Sequence, residues 1–211
     1  MIPEETEQRS EEWRLARLGH ATGSMIRCVL AKGRGSAEPA TRANYRAQLI
    51  AERLTGESCE DRFENAAMRR GTEMEPEARA RYEAHADTLV EQVGFVPHPS
   101  IEWAGCSPDG LVGSEGLVQI KCPSPKVHIE TVMAQEIPCE YVPQMQFEMA
   151  CTGRAWNDFV SFDDRMPDDI QIFVKRLQRD DAAIARIEGE VRRFIAEVDE
   201  YVEKLWRMAA V

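Results

Sequence analysis

Cys106-Ser107-Pro108-Asp109-Gly110-Leu111 and Leu117-Val118-Gln119-Ile120-Lys121-Cys122-Pro123 are separated by the turn Gly113-Ser114-Glu115-Gly116. Leu117 to Cys122 reads as a strand, stopped by Pro123 and Pro125. Successive strand side chains alternate faces, so Gln119 and Lys121 project to one side while Val118 and Ile120 enter the core. The short turn makes the two segments antiparallel neighbours, with Asp109 at the end of the first strand. Asp109, position 119 and Lys121 then come within reach of one point. A carboxylate from each of two strands plus a lysine is what divalent-metal phosphodiester hydrolysis needs. Hard oxygens hold Mg²⁺, the metal polarises the phosphoryl group and acidifies a water, and the ammonium orients that water or stabilises developing charge. Position 119, however, is Gln where such a site calls for Glu. On this segment alone, a plain hairpin with a surface Asp and Lys explains the pattern at least as well.

Working outward, Leu89, Glu91, Val93 and Phe95 alternate as a strand, and Ile101 to Cys106 form a second. Beyond Pro125, helical segments are expected near 127–136 and 140–152, the latter closed by Gly153, before strands over Trp156–Phe162 and Ile170–Val174. Upstream, the signals to about residue 84 are helical. A first helix holds Trp13, Arg14 and Arg17 and ends before Gly19, and Thr22 or Ser24 caps a short second one. Ala40–Leu54 ends at Gly56, and Phe63–Ala84 carries Met74, Ala78 and Tyr82 on one stripe, with Pro76 expected to kink it or start a new helix. The clearest periodicity is C-terminal: Ile184, Ile187, Val191, Phe194, Val198, Tyr201 and Leu205 alternate spacings of three and four. This predicts a long amphipathic helix packed on its own sheet. The expected fold is α/β (α+β), a central mixed β-sheet flanked by helices. It forms one domain over 1–211, with a helical part, 1–86, and a sheet-centred catalytic part, 87–211.

With 43% apolar and 30% charged residues, the 211-residue chain can bury a core. A net charge of -11 argues against a polyanion partner, yet residues 13–53 hold Arg14, Arg17, Arg27, Lys32, Arg34, Arg42, Arg46 and Arg53 against only Glu38 and Glu52. One face is therefore expected to be basic. Six cysteines without a C-x-x-C pair give no zinc or iron–sulfur signature and read as buried reduced thiols. The first residues resemble no secretory signal, and no apolar run suffices for a membrane span, which places the protein in a reducing cytosol.

The Pro108-Asp109…Gln119-x-Lys121 spacing fits the proline-aspartate, acid-x-lysine nuclease signature, PD-(D/E)xK, in every position except 119. Three further segments stand in register with it: Glu12 to Ser24 (E-W-R-L-A-R-L-G-H-A-T-G-S), the R-G-x-x-x-E of Arg70 to Glu75, and Tyr141-Val142-Pro143-Gln144-Met145-Gln146. In this order they resemble the lambda-exonuclease-like family of phage recombination nucleases, also called viral alkaline exonucleases. The resemblance outweighs the plain hairpin.

What the resemblance implies can be stated residue by residue. Asp109 and position 119 correspond to metal-binding acids, with the Ile120 carbonyl as a further ligand and Lys121 as the catalytic lysine. Glu75 corresponds to a helix-borne acid near the metal or the water, and Gln144 to a glutamine that positions the nucleophile or the phosphate. Arg17, Ser24 and Ser107 correspond to a 5′-phosphate pocket, supported by Trp13, and Arg34 between two glycines is a further candidate for DNA contact. The implied protein is a Mg²⁺-dependent exonuclease, with Mn²⁺ as substitute, that degrades one strand of duplex DNA from its 5′ end. It would act in the bacterial host cytoplasm as a trimeric ring, handing the 3′ strand to a single-strand annealing protein, with no membrane partner. Gln119 predicts severely reduced turnover, as a natural inactive relative or as a Glu replaced to trap substrate. The rival readings are a DNA-end-binding protein without hydrolysis and a related metal nuclease of other polarity.

Overall fold

The structure, a computed structural model, describes residues 8–33, 37–59 and 66–210. Helix α1 (Glu11–Arg17) starts at Ser10, whose side chain accepts from the Trp13 amide, and ends ahead of Gly19. Strand β1 (Ala21–Thr22) leads through a 3₁₀ turn into α2 (Ile26–Val29), and Thr22 sits at the start of that turn without a side-chain capping bond. Helix α3 (Ala40–Thr55) stops at Gly56, as its sequence predicts. Helix α4 (Ala66–Ala86) is one continuous helix with Pro76 inside it, not two. Proline removes one amide donor there, but Ala78 and Tyr82 are fully buried, and the Tyr82 hydroxyl donates to Asp158 at 2.8 Å, so tertiary packing overrides the local break.

The alternating run 89–95 is not one strand. Val90–Glu91 (β2) and Val96–Pro97 (β3) join different sheets, because β2 finds its partner in Gly110–Val112 (β5) and β3 in Ala104–Cys106 (β4). Ile101 lies outside β4, which begins only after a turn with Trp103 at φ 60°. Strand β6 (Gly116–Lys121) is followed by α5 (Pro125–Ala134) and α6 (Val142–Thr152), then by β7 (Trp156–Phe162) and β8 (Ile172–Gln178). The central sheet has the order β2-β5-β6-β7-β8. It is mixed because β6 and β7 pair in parallel across the α5–α6 crossover. A small sheet, β1-β4-β3, stands beside it. Val118 and Ile120 face Ala78 and Tyr82 of α4, while Leu117 packs among α6 residues, so β6 is covered on both faces.

Helix α7 (Asp181–Ala209) is capped by Asp180 and buries Ile184, Ile187, Val191, Phe194 and Val198 within the main core; it packs mainly on α3 and α6 and not, as expected, on the sheet, because those helices lie between. The stripe leaves the core after Val202, and Tyr201 and Leu205 are exposed. Acids of α7 also correct the expected basic face. Arg42 grips Glu197 through two bonds of 2.8 and 2.7 Å, Arg46 bonds Glu38 and Glu197, and Arg53 pairs with Asp199. Arg14, Arg27 and Lys32 remain exposed, and Arg34 lies outside the described residues. The cysteine expectation is also revised: all six are free thiols, but only Cys106 and Cys151 are buried, whereas Cys59 and Cys139 are exposed. Among the described residues no helix is long and apolar enough to cross a membrane.

Phe194 is fully buried, stacks on Tyr45 at 5.5 Å and lies under the Arg42 guanidinium at 5.0 Å. Phe194→Ala should therefore cost about 3–5 kcal/mol of folding stability, measured as a lowered urea midpoint at unchanged slope. A loss below about 1 kcal/mol would show that α7 is not part of the cooperative core.

Candidate active site

Strand β5 pairs with β6 in the register Gly110↔Val118, so Asp109, one residue earlier, lies across from Gln119. It precedes β5 and does not end a strand. Gly110 is required here: a Cβ would stand 2.1 Å from the Val90 side chain. Asp109 Oδ2 accepts from Gln119 Nε2 at 2.5 Å and from the Ile120 amide at 2.7 Å. Gln119 is 1% exposed, and its Oε1 accepts from Gln144 Nε2 of α6 at 2.7 Å. Gln144 Nε2 also donates to Glu148 Oε1 at 2.8 Å, and Asn157 Nδ2 of β7 donates to Glu148 Oε2 at 3.0 Å. One line of side chains thus runs from the half-buried Asp109 down to a buried floor.

Lys121 stands on the Gln119 face of β6, its ammonium 5.5 Å from the Tyr141 ring centroid. Glu75 comes from α4 and is held between Arg9 at 3.0 Å and Arg79 at 2.9 Å. Burial, and then the negative charge of Asp109, raise the Glu75 carboxyl above the ordinary range; Arg9, Arg79 and Lys121 oppose this. Glu148 is shifted further, up to about 8, by burial first and Asp109 second. Cys122 rises to about 12, with burial as the main cause and Glu75 next.

A second cluster forms two residues upstream of Asp109. Ser107 Oγ accepts from Trp13 Nε1 at 2.9 Å and from Arg17 at 3.4 Å, and the Arg17 guanidinium stacks 4.1 Å from the Trp13 ring centroid. The loop after Arg17 is tied to α3: the Gly19 amide donates to Glu52 at 2.9 Å, and its carbonyl accepts from Arg53 at 2.9 Å. Ser24 is exposed, with its hydroxyl 3.4 Å from that of Thr22. A planar guanidinium beside hydroxyls suits a phosphate group.

Asp109, Gln119, Ile120 and Gln144 are therefore joined by direct bonds, while Glu75 and Lys121 adjoin them through charge. Trp13, Arg17 and Ser107 meet; Ser24 bonds to Thr22 and not to them; Arg34 lies outside the described residues. Glu148 and Asn157 were missed. The signal for Glu148 was its place four residues after Gln144, a lone charge in the otherwise uncharged run Met145 to Cys151.

As the chain stands, the donor set does not fit a divalent cation. Such an ion seeks oxygen, yet the Gln119 N–H is aimed at Asp109, and Gln119 Oε1 is engaged by Gln144. Among the described residues no group of three or more His, Cys, Asp or Glu side chains is arranged to hold a metal.

Residues 12–155 match the family described as the YqaJ-like viral recombinase domain. That span contains every predicted site residue. Two crystal structures of LHK-Exo, an alkaline exonuclease from Laribacter hongkongensis, one of them in complex with dAMP, are 52% identical to the chain. They superpose with TM-scores of 0.89 and 0.88, over 95% of this chain and 98% of theirs. A phage-related exonuclease from Haemophilus somnus 129PT, 16% identical with a TM-score of 0.66 over 88% of this chain and 96% of its own, shares the fold. No curated protein matches the chain.

Replacing Gln119 by Glu removes an N–H donor from Asp109 and sets a like charge beside it. Without metal, Gln119→Glu should lower Tm by roughly 3–8 °C. Millimolar Mg²⁺ should restore that loss while leaving the unmodified chain unmoved. Equal Mg²⁺ shifts in both proteins would show that Gln119 does not exclude the cation.

Proposed function

Since the chain belongs to the YqaJ-like viral recombinase domain family, we propose that it is built as a DNA exonuclease of homologous recombination, carrying a site disarmed at position 119. The observation that carries this reading is the bonded line Asp109–Gln119–Gln144, with Lys121 on the same strand face, two residues from the Trp13–Arg17–Ser107 cradle. The substrate is duplex DNA with a 5′-phosphate, which Arg17 and Ser107 bind and Ser24 completes from the rim. Lys121 stabilises charge near the scissile phosphate, and Gln144 orients the group that attacks it. Degradation runs 5′ to 3′ and leaves a 3′ single strand.

The metal is Mg²⁺, replaceable by Mn²⁺, and belongs to the site that carries a carboxylate at 119. With Glu at that position, its carboxylate, Asp109 and the Ile120 carbonyl would hold the ion, with Glu75 nearby. The chain would act in the bacterial host cytoplasm as a trimeric ring, passing the 3′ strand to a single-strand annealing protein. Enclosing duplex DNA inside a ring separates it from the acidic exterior of a chain with net charge -11. A second reading, a DNA-end binder without hydrolysis, is favoured by the Gln119–Asp109 bond, which satisfies the carboxylate without any cation.

The deciding experiment compares this chain with Gln119→Glu on linear 5′-phosphorylated duplex DNA in saturating Mg²⁺. Hydrolysis should rise by several orders of magnitude, and Lys121→Ala in that background should cut turnover with DNA affinity nearly unchanged. No gain, with end binding intact, would select the binder. In the same background Arg17→Ala should abolish the preference for 5′-phosphate over 5′-hydroxyl ends. Equal losses on both ends would make Arg17 a general backbone contact.

A further inference from the structure

One carboxyl beneath the site has no part in the reading above. Glu148 is 1% exposed, on the α6 face that also buries Met145 and Met149. A Cβ on Gly23 would meet Glu148 Cγ at 3.7 Å and Cys106 Cβ at 3.1 Å, so the residue packs directly under the turn that carries Ser24. It forms the floor of the line that runs from Asp109 through Gln119 and Gln144.

The bonds of Gln144 give this carboxyl its consequence. A side-chain amide nitrogen has two hydrogens, and those of Gln144 go to Gln119 Oε1 at 2.7 Å and to Glu148 Oε1 at 2.8 Å. An amide held through both hydrogens cannot exchange its nitrogen and oxygen ends without losing both bonds. Gln144 Oε1 takes no hydrogen bond among the described residues, which leaves it to accept one from a water or a substrate hydroxyl.

We infer that Glu148 is a positioning residue: by accepting from Gln144 it locks that amide with its nitrogen on position 119 and its oxygen free for the reacting groups. The role needs an acceptor at 148, not a charge. Burial, reinforced by Asp109, pushes the Glu148 carboxyl up to about 8, which favours its neutral acid form. Its proton has a place to go. Asn157 Oδ1 is buried without a partner among the described residues, and turning over the Asn157 amide would present that oxygen to a protonated Glu148.

The orientation of Gln144 is a property of the unmodified chain, and only the activity measurement below rests on the proposed function. In ¹⁵N-labelled protein, the Gln144 side-chain amide signals, assigned by their loss in Gln144→Leu, should exchange with water at least about tenfold more slowly than exposed glutamine amides. Glu148→Gln, which keeps an acceptor, should preserve that protection, and Glu148→Leu should abolish it. Fast exchange in the unmodified chain, or loss of protection in Glu148→Gln, would overturn the inference even if Glu148→Leu fails to fold. In the Gln119→Glu background, Glu148→Leu should lower kcat by about tenfold or more with KM for DNA within about twofold, and Glu148→Gln should retain kcat. A loss confined to KM would overturn the role. If Gln119→Glu shows no hydrolysis, the nuclease reading fails and the amide exchange still decides the inference.

Discussion

Asp109 Oδ2 receives two bonds from β6, one from the Gln119 side chain and one from the Ile120 backbone. Because the second donor is a main-chain amide, the carboxylate fixes the start of β5 against β6 as well as the place of its own oxygens. Hydrogen bonds to a charged group contribute about 1.5–3 kcal/mol each, and a half-buried carboxylate deprived of them keeps its desolvation penalty. The hairpin and the site are thus one construction. Gly110 is its corollary, since the chain must pass Val90 with no room for a side chain immediately after the acid.

Three carboxyls share this small volume, and their like charges must be managed. Asp109 is met by two N–H groups; Glu75 is flanked by Arg9 and Arg79; Glu148, with no cation in contact among the described residues, is shifted up to about 8. Burial and the field of Asp109 act in the same direction on both glutamates. Gln119 belongs to the same electrostatic balance. A carboxylate at 119 would be a further negative charge beside Asp109, tolerable with a bound cation, whereas an amide relieves it by donating to Asp109 and accepting from Gln144.

Features carried by local periodicity were legible in the sequence. The β5–β6 hairpin, the helix stops at Gly56 and Gly153, and the α7 stripe from Ile184 to Val198 depend on neighbours within a few residues. What escaped is non-local. The division of 89–97 between two sheets depends on partners at 104–112, and the persistence of α4 through Pro76 depends on Tyr82 reaching Asp158. The basic run 13–53 lost Arg42, Arg46 and Arg53 to acids near residue 198, which no local charge count can foresee. Glu148 escaped for a related reason: an acid in a helix is ordinarily solvated, and only the fold reveals that this one is sealed beneath Gln144 and Gly23.

Ser107 and Asp109 are joined only by Pro108, whose carbonyl accepts from Gln8 at 2.7 Å. Proline restricts the backbone between them, and β4 and β5 anchor the two sides, Ser107 directly after one strand and Asp109 directly before the other. Ser107 and Asp109 are therefore held at a nearly fixed separation. Under the proposed function this separation selects which phosphodiester is presented, counted from the bound 5′-phosphate. It would favour stepwise removal from an end over cutting at internal positions, because a strand without an end leaves the cradle unfilled. Ser107 bonds to Trp13 and Arg17, and the loop after Arg17 is tied to α3; under the proposed function, end binding is then expected to survive the loss of hydrolysis at Gln119.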